Sequence, residues 1–352
     1  MSDELMFGIV GCGEITSKRR ADSFAAADEA DIGMAMDIVD SLAEDIGERF
    51  DVPWTTEFEA VLADPEIDAV YLAVPHDLHA PMTIQAAEAG KHVLVEKPIA
   101  TTVADADDMI AACDRANVTL GVFLPRRYGA TYEQARSLVD AGTIGEIVGT
   151  EVEIMVDKAS SYWEGGYTGR VQTDWRKQKE RSGGGVLLIN GIHHIDALRE
   201  LTALEVTRLY AESDTFATDV EVEDFASVTL RYENGGIGTI HVSSFAQREP
   251  RAESIKGDRI YGRNGTIVIA DPMRVRTRVD DVYGSPGEWD TVEVDAFELT
   301  SGVRLINDFV HAVQTSTEPR TSGMEGMRSL EIIEAAYRSA ECHQPIELPI
   351  DR

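Results

Sequence analysis

The first third of the chain alternates short apolar runs with longer amphipathic stretches. The apolar runs predict five strands: Met6–Val10, Asp31–Met36, Asp68–Val74, His92–Val95 and Thr119–Phe123. The amphipathic stretches predict helices: one that follows the first strand and runs through Ala27, then Ser41–Phe50, Phe58–Ala63, Ala80–Ala89 and Ala104–Ala116. Strands that alternate with helices indicate right-handed βαβ units and a parallel sheet with helices on both faces.

The rest of the chain changes to a period-two pattern with one polar face. It predicts seven further strands: Glu146–Val156, Thr207–Glu212, Phe225–Tyr232, Gly236–Ser244, Asp258–Tyr261, Thr266–Ala270 and Arg274–Arg278. Two helices are predicted, at Val303–Gln314 and Gly326–Glu341. The fold class is therefore α/β, with a second, open and mostly antiparallel sheet whose apolar side packs on helices. A length of 352 residues suits two domains, which we assign to residues 1–124 and 125–352.

A glycine-rich turn lies between the first strand and its helix. It reads Gly11-Cys12-Gly13-Glu14-Ile15-Thr16. Gly11 permits the sharp turn, and Gly13 lets the backbone approach a pyrophosphate at the positive end of the helix. Thr16 stands where glycine or alanine is usual and implies slightly looser packing of helix on strand. Because the motif follows a strand and opens a helix, it predicts a bound dinucleotide.

Asp37 closes the second strand, 24 residues after Gly13. Its carboxylate can accept both ribose hydroxyls of the cofactor and would repel a 2′-phosphate. Ile38 and Val39 follow, so no arginine is present there to neutralise such a phosphate. We therefore expect NAD rather than NADP. The alternative is that Asp37 only caps the following helix.

The composition is strongly acidic, with a formal net charge of −31 and seven lysines beside 25 arginines. The acidic residues are scattered among apolar stretches, which argues against an acidic tail. In molar salt the Debye length is about 3 Å, so repulsion between these carboxylates would be screened. We therefore expect a halophilic protein. A basic patch that could neutralise phosphates is absent from the sequence, which argues against nucleic-acid binding.

Cysteine usage and hydropathy suggest a cytoplasmic protein. Cys12, Cys113 and Cys342 are unevenly spaced, which predicts neither a disulfide framework nor a zinc site, and no metal is expected. The first seven residues, MSDELMF, lack the basic and apolar regions of an export signal. The sequence contains no apolar run of about 18 residues, as a membrane-spanning helix would need.

Further motifs resemble the glucose–fructose oxidoreductase, inositol dehydrogenase and rhizopine-catabolism family, written Gfo/Idh/MocA. In chain order they are Val70–His79, Glu96-Lys97-Pro98, Thr143–Ile147, Asp174-Trp175-Arg176, Gly183-Gly184-Gly185 and Gly191–Asp196. The resemblance covers essentially the whole chain. It implies a Rossmann dinucleotide-binding domain followed by a substrate-binding domain, whose exposed sheet face commonly pairs subunits into a dimer or tetramer.

Lys97 lies just past the carboxyl end of the fourth predicted strand, where open α/β sheets bind ligands. An ammonium there can hydrogen-bond a substrate oxygen and favour alkoxide character. The family assigns this lysine to the active site, and the resemblance implies a cis Lys97–Pro98 peptide bond. The cofactor-binding set further includes residues of neighbouring strand ends and loops: Ala73, Val74, Pro75, His76, His79 and Glu96.

The resemblance aligns His193 with the catalytic histidine of the family. An imidazole suits proton exchange near neutral pH. The Asp or Asn that the family often carries four residues earlier is Ile189 here. Either His193 works with Asn190, or Asn190 and His194 enter the pocket as an i, i+4 pair; we favour His193. Asp196 either orients an imidazole or caps a helix.

Four further residues are expected near the same site. Trp175 and Arg176 precede the glycine run, where the family contacts cofactor or substrate. Arg127 and Tyr128 resemble a family segment that follows the last strand of the first domain. An arginine can bind substrate hydroxyls or cofactor phosphate. A structural ion pair that crosses from one domain to the other is the alternative for these arginines.

Together these features predict a nicotinamide-dependent dehydrogenase that oxidises a hydroxyl of a sugar or cyclitol. The cofactor carries the redox step, and Lys97 and His193 handle the proton. Two alternatives remain open at this point. One is a glycoside hydrolase that uses NAD without consuming it, and the other is a non-catalytic regulator that senses sugar or dinucleotide.

Overall fold

The computed structural model describes residues 4–245, 257–280, 283 and 285–351. Residues 1–3, part of the stretch considered for an export signal, lie outside the described residues. The chain divides into two compact units. The first comprises Met1–Pro125, Ser160–Gly183 and Leu299–Leu330, and the second comprises Arg126–Ala159, Gly184–Glu298 and Glu331–Arg352.

The first unit contains the predicted parallel sheet, with six strands where five were predicted. Its strands are β1 (Leu5–Val10), β2 (Ala30–Met36), β3 (Trp54–Thr55), β4 (Ala69–Leu72), β5 (His92–Glu96) and β6 (Leu120–Phe123). The order is β3-β2-β1-β4-β5-β6, and all pairings are parallel. The chain therefore reverses direction across the sheet between β1 and β4. At such a point the carboxyl ends of the strands border a ligand-binding crevice.

The second unit contains a nine-stranded sheet. Its strands are β7 (Ile147–Met155), β8 (Val206–Asp214), β9 (Phe225–Tyr232), β10 (Ile237–Ser243), β11 (Asp258–Gly262), β12 (Gly265–Ile269), β13 (Met273–Thr277), β14 (Trp289–Val292) and β15 (Ile346–Glu347). The order is β14-β13-β12-β11-β7-β10-β9-β8-β15. The prediction of a mostly antiparallel sheet is confirmed, because among its described strands only β10 and β7 pair in parallel. The short strands β3, β14 and β15 were not predicted.

The helices follow the predicted amphipathic stretches closely, although four of them were not predicted as separate elements. They are α1 (Ala21–Ala25), α2 (Asp40–Phe50), α3 (Phe58–Ala63), α4 (His79–Glu88), α5 (Val103–Ala116), α6 (Ala130–Asp140), α7 (Tyr162–Gly165), α8 (Lys179–Ser182), α9 (Ile192–Thr202), α10 (Ser301–Thr315) and α11 (Gly323–Cys342). Wider π-helical turns at Thr16–Arg20 and Leu187–Gly191 lead into α1 and α9. None of the described helices is long and apolar enough to cross a membrane.

A segment from the far end of the chain completes the first unit. Phe309 of α10 is fully buried, and its ring lies 6.0 Å from that of Phe7 in β1. At Gly121 of β6, a Cβ atom would lie 2.7 Å from the Phe309 ring, so a larger side chain there would displace the helix. Val122 N donates to Thr321 O at 2.7 Å. The domain boundary at residues 124 and 125 stays a prediction, to which the structure adds that residues 160–183 and 299–330 pack with the first unit.

We expect Phe309→Ala to lower the free energy of unfolding by about 3–5 kcal/mol, because a large cavity would remain against β1 and β6. Urea unfolding in molar KCl measures this change. His311→Ala, on the exposed face of the same helix, is the control and should change stability by less than about 0.5 kcal/mol. Equal effects of the two substitutions would contradict the packing of α10 on the first sheet.

Candidate active site

The glycine turn after β1 has the geometry that a bound diphosphate requires. Gly11 has φ +92°, and a Cβ atom there would lie 2.4 Å from the Ala73 carbonyl oxygen. At Gly13 a Cβ atom would meet nothing nearer than Val171 Cγ2, at 3.8 Å. Glu14 and Ile15 then open the helix, so its free N–H groups face this space. The residues present therefore fit a dinucleotide held by its phosphates.

Thr16 is buried and donates from Oγ1 to the Gly11 carbonyl oxygen at 2.5 Å. From Thr16 to Arg20 the helix is wound as a π-helix. The looser packing of helix on strand expected at this position stays a prediction, and the structure shows a wider helical turn there. Such turns occur frequently at functional sites.

Asp37 is fixed beside the glycine turn by two backbone donors. Its Oδ2 accepts from Cys12 N at 2.8 Å, and its Oδ1 accepts from Val39 N at 2.9 Å. The N-cap of α2 is Val39, so Asp37 does not cap that helix. Each carboxylate oxygen retains acceptor capacity for a ribose hydroxyl. Burial raises the pKa of the Cys12 thiol to about 12, so the turn uses the backbone of Cys12 and keeps its side chain neutral.

The loop after β4 contains two histidines with different surroundings. Ala73, Val74 and Pro75 are partly exposed, as a cofactor-binding loop requires. His76 is buried, with Nδ1 2.7 Å from Ser182 O and its ring centre 4.5 Å from that of Trp175. Burial, together with the neighbouring His79, holds the pKa of His76 well below its usual range, so this ring is neutral.

The expectation that His79 binds the cofactor is not supported by its position. The side chain is fully buried, and its two ring nitrogens lie 2.8 Å from Pro98 O and 3.1 Å from Val74 O. With both nitrogens facing backbone carbonyls, the ring ties the loop after β4 to the loop after β5. It therefore positions the residues around Lys97.

Lys97 follows β5 directly, and the Lys97–Pro98 peptide bond is cis, as the resemblance implied. Burial lowers the pKa of Lys97 to about 8. Glu96 acts in the opposite direction, whereas Arg20 and Arg176 lower the pKa further. An amine with this pKa can both lose and regain a proton near neutral pH, which is the property a general acid or base requires.

Glu96, predicted to bind cofactor, is instead one partner of a buried ion pair. Its Oε1 accepts from Arg20 Nε at 2.7 Å and from Tyr71 Oη at 2.8 Å. Although burial acts to raise it, Arg20 and Lys97 hold the pKa of Glu96 below its usual value. Arg20 and Tyr71 were not predicted as site residues. In the sequence, Arg20 is merely the last of three consecutive basic residues, which gave no sign of its burial.

Residues 160–183 bring Trp175 and Arg176 into the unit that contains the glycine turn. Glu14 Oε2 accepts from Tyr167 N at 2.7 Å, which fastens this segment to the start of the helix after the turn. The Arg176 guanidinium lies 4.4 Å from the Trp175 ring centre. Glu14 thus contributes by anchoring this segment, a role that the motif did not indicate.

In the second unit, Asn190, His193 and His194 lie on the π turn Leu187–Gly191 and the start of α9. The π winding alters the spacing that the predicted i, i+4 pairing of Asn190 with His194 assumed. His193 and His194 are both partly exposed. Among the described residues, the buried Oδ1 of Asn190 has no hydrogen-bond partner. An unpaired acceptor of this kind suits a ligand hydroxyl.

His194 is held by a buried carboxylate that sequence reasoning missed. Its Nδ1 lies 2.7 Å from Asp258 Oδ1 and 2.8 Å from Oδ2, and Tyr132 Oη also donates to Oδ2. Burial alone would raise the pKa of Asp258, but the His194 imidazole and these hydrogen bonds hold it below its usual value. A carboxylate on Nδ1 leaves Nε2 as the nitrogen of His194 that can exchange a proton.

Glu223 anchors the start of the same helical segment. Its Oε2 accepts from Gly185 N at 2.6 Å, and its Oε1 accepts from Leu187 N at 2.8 Å and from Tyr337 Oη at 3.1 Å. A Cβ atom at Gly185 would lie 1.8 Å from Glu223 O, which explains why glycine stands there. Burial raises the pKa of Glu223 to about 7. The sequence did not reveal this residue.

Arg127, predicted to bind substrate or to form an ion pair across the domains, instead forms an ion pair with Asp196 inside the second unit. It is 3% exposed and donates from Nε and Nη2 to the two oxygens of Asp196, at 2.8 and 2.6 Å. This contact also gives Asp196 a partner that neither suggested role anticipated. Tyr128, beside it, is likewise buried.

Lys97 and His193 belong to different units.

We expect Arg127→Met to lower the free energy of unfolding by about 3–5 kcal/mol, because Asp196 would keep an uncompensated buried charge. The double variant Arg127→Met/Asp196→Leu should be considerably more stable than the single variant. Urea unfolding compares them. A stable Arg127→Met protein with a raised KM would instead show that Arg127 binds substrate.

Comparison with known proteins gives consistent matches along the chain. Residues 5–124 match the model of the oxidoreductase family with an NAD-binding Rossmann fold, and residues 132–268 match the GFO/IDH/MocA C-terminal domain. The 1,5-anhydro-D-fructose reductase of Ensifer adhaerens is 29% identical over 297 residues, 83% of each chain. The D-xylose 1-dehydrogenase (NADP(+)) 2 of Haloferax volcanii is 27% identical and spans 98% of this chain and 100% of its own.

Among solved structures, the WlbA dehydrogenase from Bordetella pertussis, in complex with NADH and UDP-GlcNAcA, has a TM-score of 0.83. It is 27% identical and covers 99% of both chains. These matches agree with the parallel sheet, the glycine turn and the mixed second sheet described above. The chain belongs to the Gfo/Idh/MocA oxidoreductases, with an NAD-binding Rossmann domain followed by the C-terminal domain of that family.

Proposed function

We propose that this protein is an NAD-dependent dehydrogenase that oxidises one hydroxyl group of a sugar or cyclitol, with Lys97 and His193 handling the proton. The observation that carries this proposal is Lys97 at the carboxyl end of β5, with a pKa of about 8. The names of the relatives above, which include a reductase and a dehydrogenase of sugars, support the substrate class.

Oxidation of an alcohol requires that the hydroxyl proton leave as the carbonyl forms. When bound, the nicotinamide dinucleotide supplies the hydride acceptor. The amine of Lys97, in its neutral form, can accept the proton from the hydroxyl oxygen. Once protonated, it donates a hydrogen bond to that oxygen and stabilises its partial negative charge. The loop that holds Lys97 is fixed by His79, so the amine does not need to be ordered at each turnover.

The second unit offers the groups for substrate binding and for a second proton step. Asn190 Oδ1 can accept from a substrate hydroxyl. His193 is proposed to take up the proton that Lys97 has accepted and to release it to solvent. His194, fixed by Asp258, is the alternative acceptor.

The choice of NAD over NADP rests on Asp37. Its carboxylate is pinned at the end of β2 by Cys12 N and Val39 N, so it cannot easily swing away from a ribose. A 2′-phosphate placed beside it would meet a like charge. The Haloferax volcanii relative is named as a dehydrogenase of NADP(+), so the cofactor has to be tested for this chain.

An assay of NADH formation at 340 nm against a panel of sugars and cyclitols tests the proposal. It is run in molar KCl because the predicted adaptation to salt would otherwise confound it. Oxidation of at least one substrate, with one NADH formed per product, supports the dehydrogenase. Turnover without net NADH would indicate the hydrolase, and tight NAD binding without turnover would indicate a sensor. The predicted oligomer stays an expectation from the family resemblance.

We expect Lys97→Ala to lower kcat by about 10²–10⁴-fold, because the positioned proton acceptor is lost, while the Kd of NADH changes little. In the unaltered protein, kcat for oxidation should rise with pH through about 8, since Lys97 must be neutral to accept a proton. That limb should disappear in Lys97→Ala. Stopped-flow kinetics and NADH fluorescence titration measure these quantities.

The matched control is Lys179→Ala, which removes an exposed lysine of the same unit and should leave kcat unchanged. A Lys97→Ala protein that retains full kcat and the same pH profile would refute the assigned role.

We expect Asp37→Ser to reduce the preference for NAD over NADP by roughly tenfold or more, because one like charge beside the 2′-phosphate is removed. The measurement is kcat/KM for both cofactors with one substrate. Unchanged selectivity would mean that Asp37 does not face the ribose. Asp40→Ser, an exposed acid on α2, controls for the general loss of negative charge.

A further inference from the structure

Arg20 is a buried arginine that the catalytic proposal above does not use. It is the last residue of the π-helical turn that follows the glycine motif. It is 8% exposed, and it forms an ion pair with Glu96 at 2.7 Å. The residue after Glu96 is Lys97, so the ion pair lies beside the proposed catalytic amine.

The guanidinium of Arg20 is held on more than one side. Its Cζ lies 3.9 Å from the centre of the Phe123 ring, which places a cation over an aromatic face. Tyr71 Oη donates to the same oxygen of Glu96 that Arg20 contacts, at 2.8 Å. Tyr71 is itself fully buried, and its ring lies 5.8 Å from that of Phe123. The four side chains therefore form one rigid cluster.

Stability alone does not account for this cluster. Buried ion pairs lose so much hydration that apolar replacements of similar volume are often equally stable. The cluster instead gives the two carboxylate oxygens of Glu96 different partners. Its Oε1 is occupied by Arg20 and Tyr71, whereas Oε2 lies 3.3 Å from the backbone nitrogen of Lys97.

Three charged side chains act on Lys97, from three different elements. Glu96 at the end of β5 favours its protonated form, while Arg20 from the π turn and Arg176 from the turn Trp175–Lys177 favour the neutral form. The neutral ring of His76 lies in the same neighbourhood. Of these groups, Arg20 is the one that also neutralises Glu96 by direct contact.

We propose that Arg20 is a positioning residue for the chemistry of Lys97: by binding Glu96 Oε1, it limits the pull of that carboxylate on the amine and thereby sets how readily Lys97 releases its proton. This inference rests on the proposed function, in which neutral Lys97 accepts the substrate proton. If Arg20 lost its charge, Glu96 would act on Lys97 alone, and the amine would stay protonated at higher pH.

The proton affinity of Lys97 can be measured without any substrate. Reductive methylation with ¹³C-formaldehyde labels the lysines, and NMR follows the pH titration of each dimethylamine. The chain has only seven lysines, so few resonances overlap, and Lys97→Arg identifies the one from Lys97. The titration is run on the full chain in molar KCl.

We expect Arg20→Gln to move the Lys97 titration upward by about one pH unit, because a neighbouring cation is lost and Glu96 is less neutralised. The acid limb of kcat should move by the same amount, which lowers kcat below that limb about tenfold. Arg20→Lys keeps a cation beside Glu96, so the Lys97 titration should stay close to that of the unaltered protein. Tyr71→Phe removes a neutral donor and should shift the titration less than Arg20→Gln does.

The double variant Arg20→Gln/Glu96→Gln removes both charges and leaves no buried charge uncompensated. Because Glu96 acts on Lys97 more strongly than Arg20 does, the titration should then move below that of the unaltered protein. Shifts in opposite directions could not arise from a general loosening of the structure. If Arg20→Gln alone does not fold, the double variant is compared with Glu96→Gln: Lys97 should titrate at higher pH in the double variant, because the repelling cation of Arg20 is gone.

A Lys97 resonance that titrates at the original pH in the folded Arg20 variants would overturn the proposal and leave Arg20 a purely structural residue. The result is independent of turnover. If the sugar panel gave no activity but the titration shifted as expected, the proposed function would fail while the role of Arg20 on Lys97 would stand.

Discussion

A buried carboxylate must have partners, and in the first unit that requirement organises the surroundings of the candidate catalytic lysine. Glu96 is the last residue of β5, and its carboxylate points into the interior, where an isolated charge would be very costly. Arg20 and Tyr71 supply the partners, one from a helix and one from a neighbouring strand. The next residue is Lys97, so the same contacts that satisfy Glu96 also fix the electrostatic environment of the amine.

Three buried carboxylates of the second unit are also provided with partners, and each of the three lies near the helical segment that carries Asn190 and the two histidines. Asp196 is satisfied by Arg127, Asp258 by His194 and Tyr132, and Glu223 by backbone N–H groups and Tyr337. In a chain with a net charge of −31, most acids lie at the surface. Four of the buried acids, Glu96, Asp196, Glu223 and Asp258, hold the segments that carry the candidate site residues. Side chains fixed in this way are what precise proton transfer requires.

Much of the fold could be predicted because it depends on local patterns. The alternation of apolar runs with amphipathic stretches located β1, β2 and β4–β6, and the period-two pattern located β7–β13 within about two residues. Two-residue strands such as β3 and β15 carry too few positions to show a period. The return of α10 to the first sheet was also invisible, because an amphipathic helix shows which face is buried but not what it is buried against.

The sequence by itself determined the glycine turn, the acidic residue at the end of β2, the lysine after β5 and the family to which they belong, since each depends on residues close together in the chain. Tertiary structure alone decided which charges meet. Arg20 and Glu96 are 76 positions apart, and His194 and Asp258 are 64 apart. It also assigned Arg127 to an ion pair and His79 to the support of a loop. Electrostatic partners are chosen by distance in space, and distance in space is set by the packing of the whole unit.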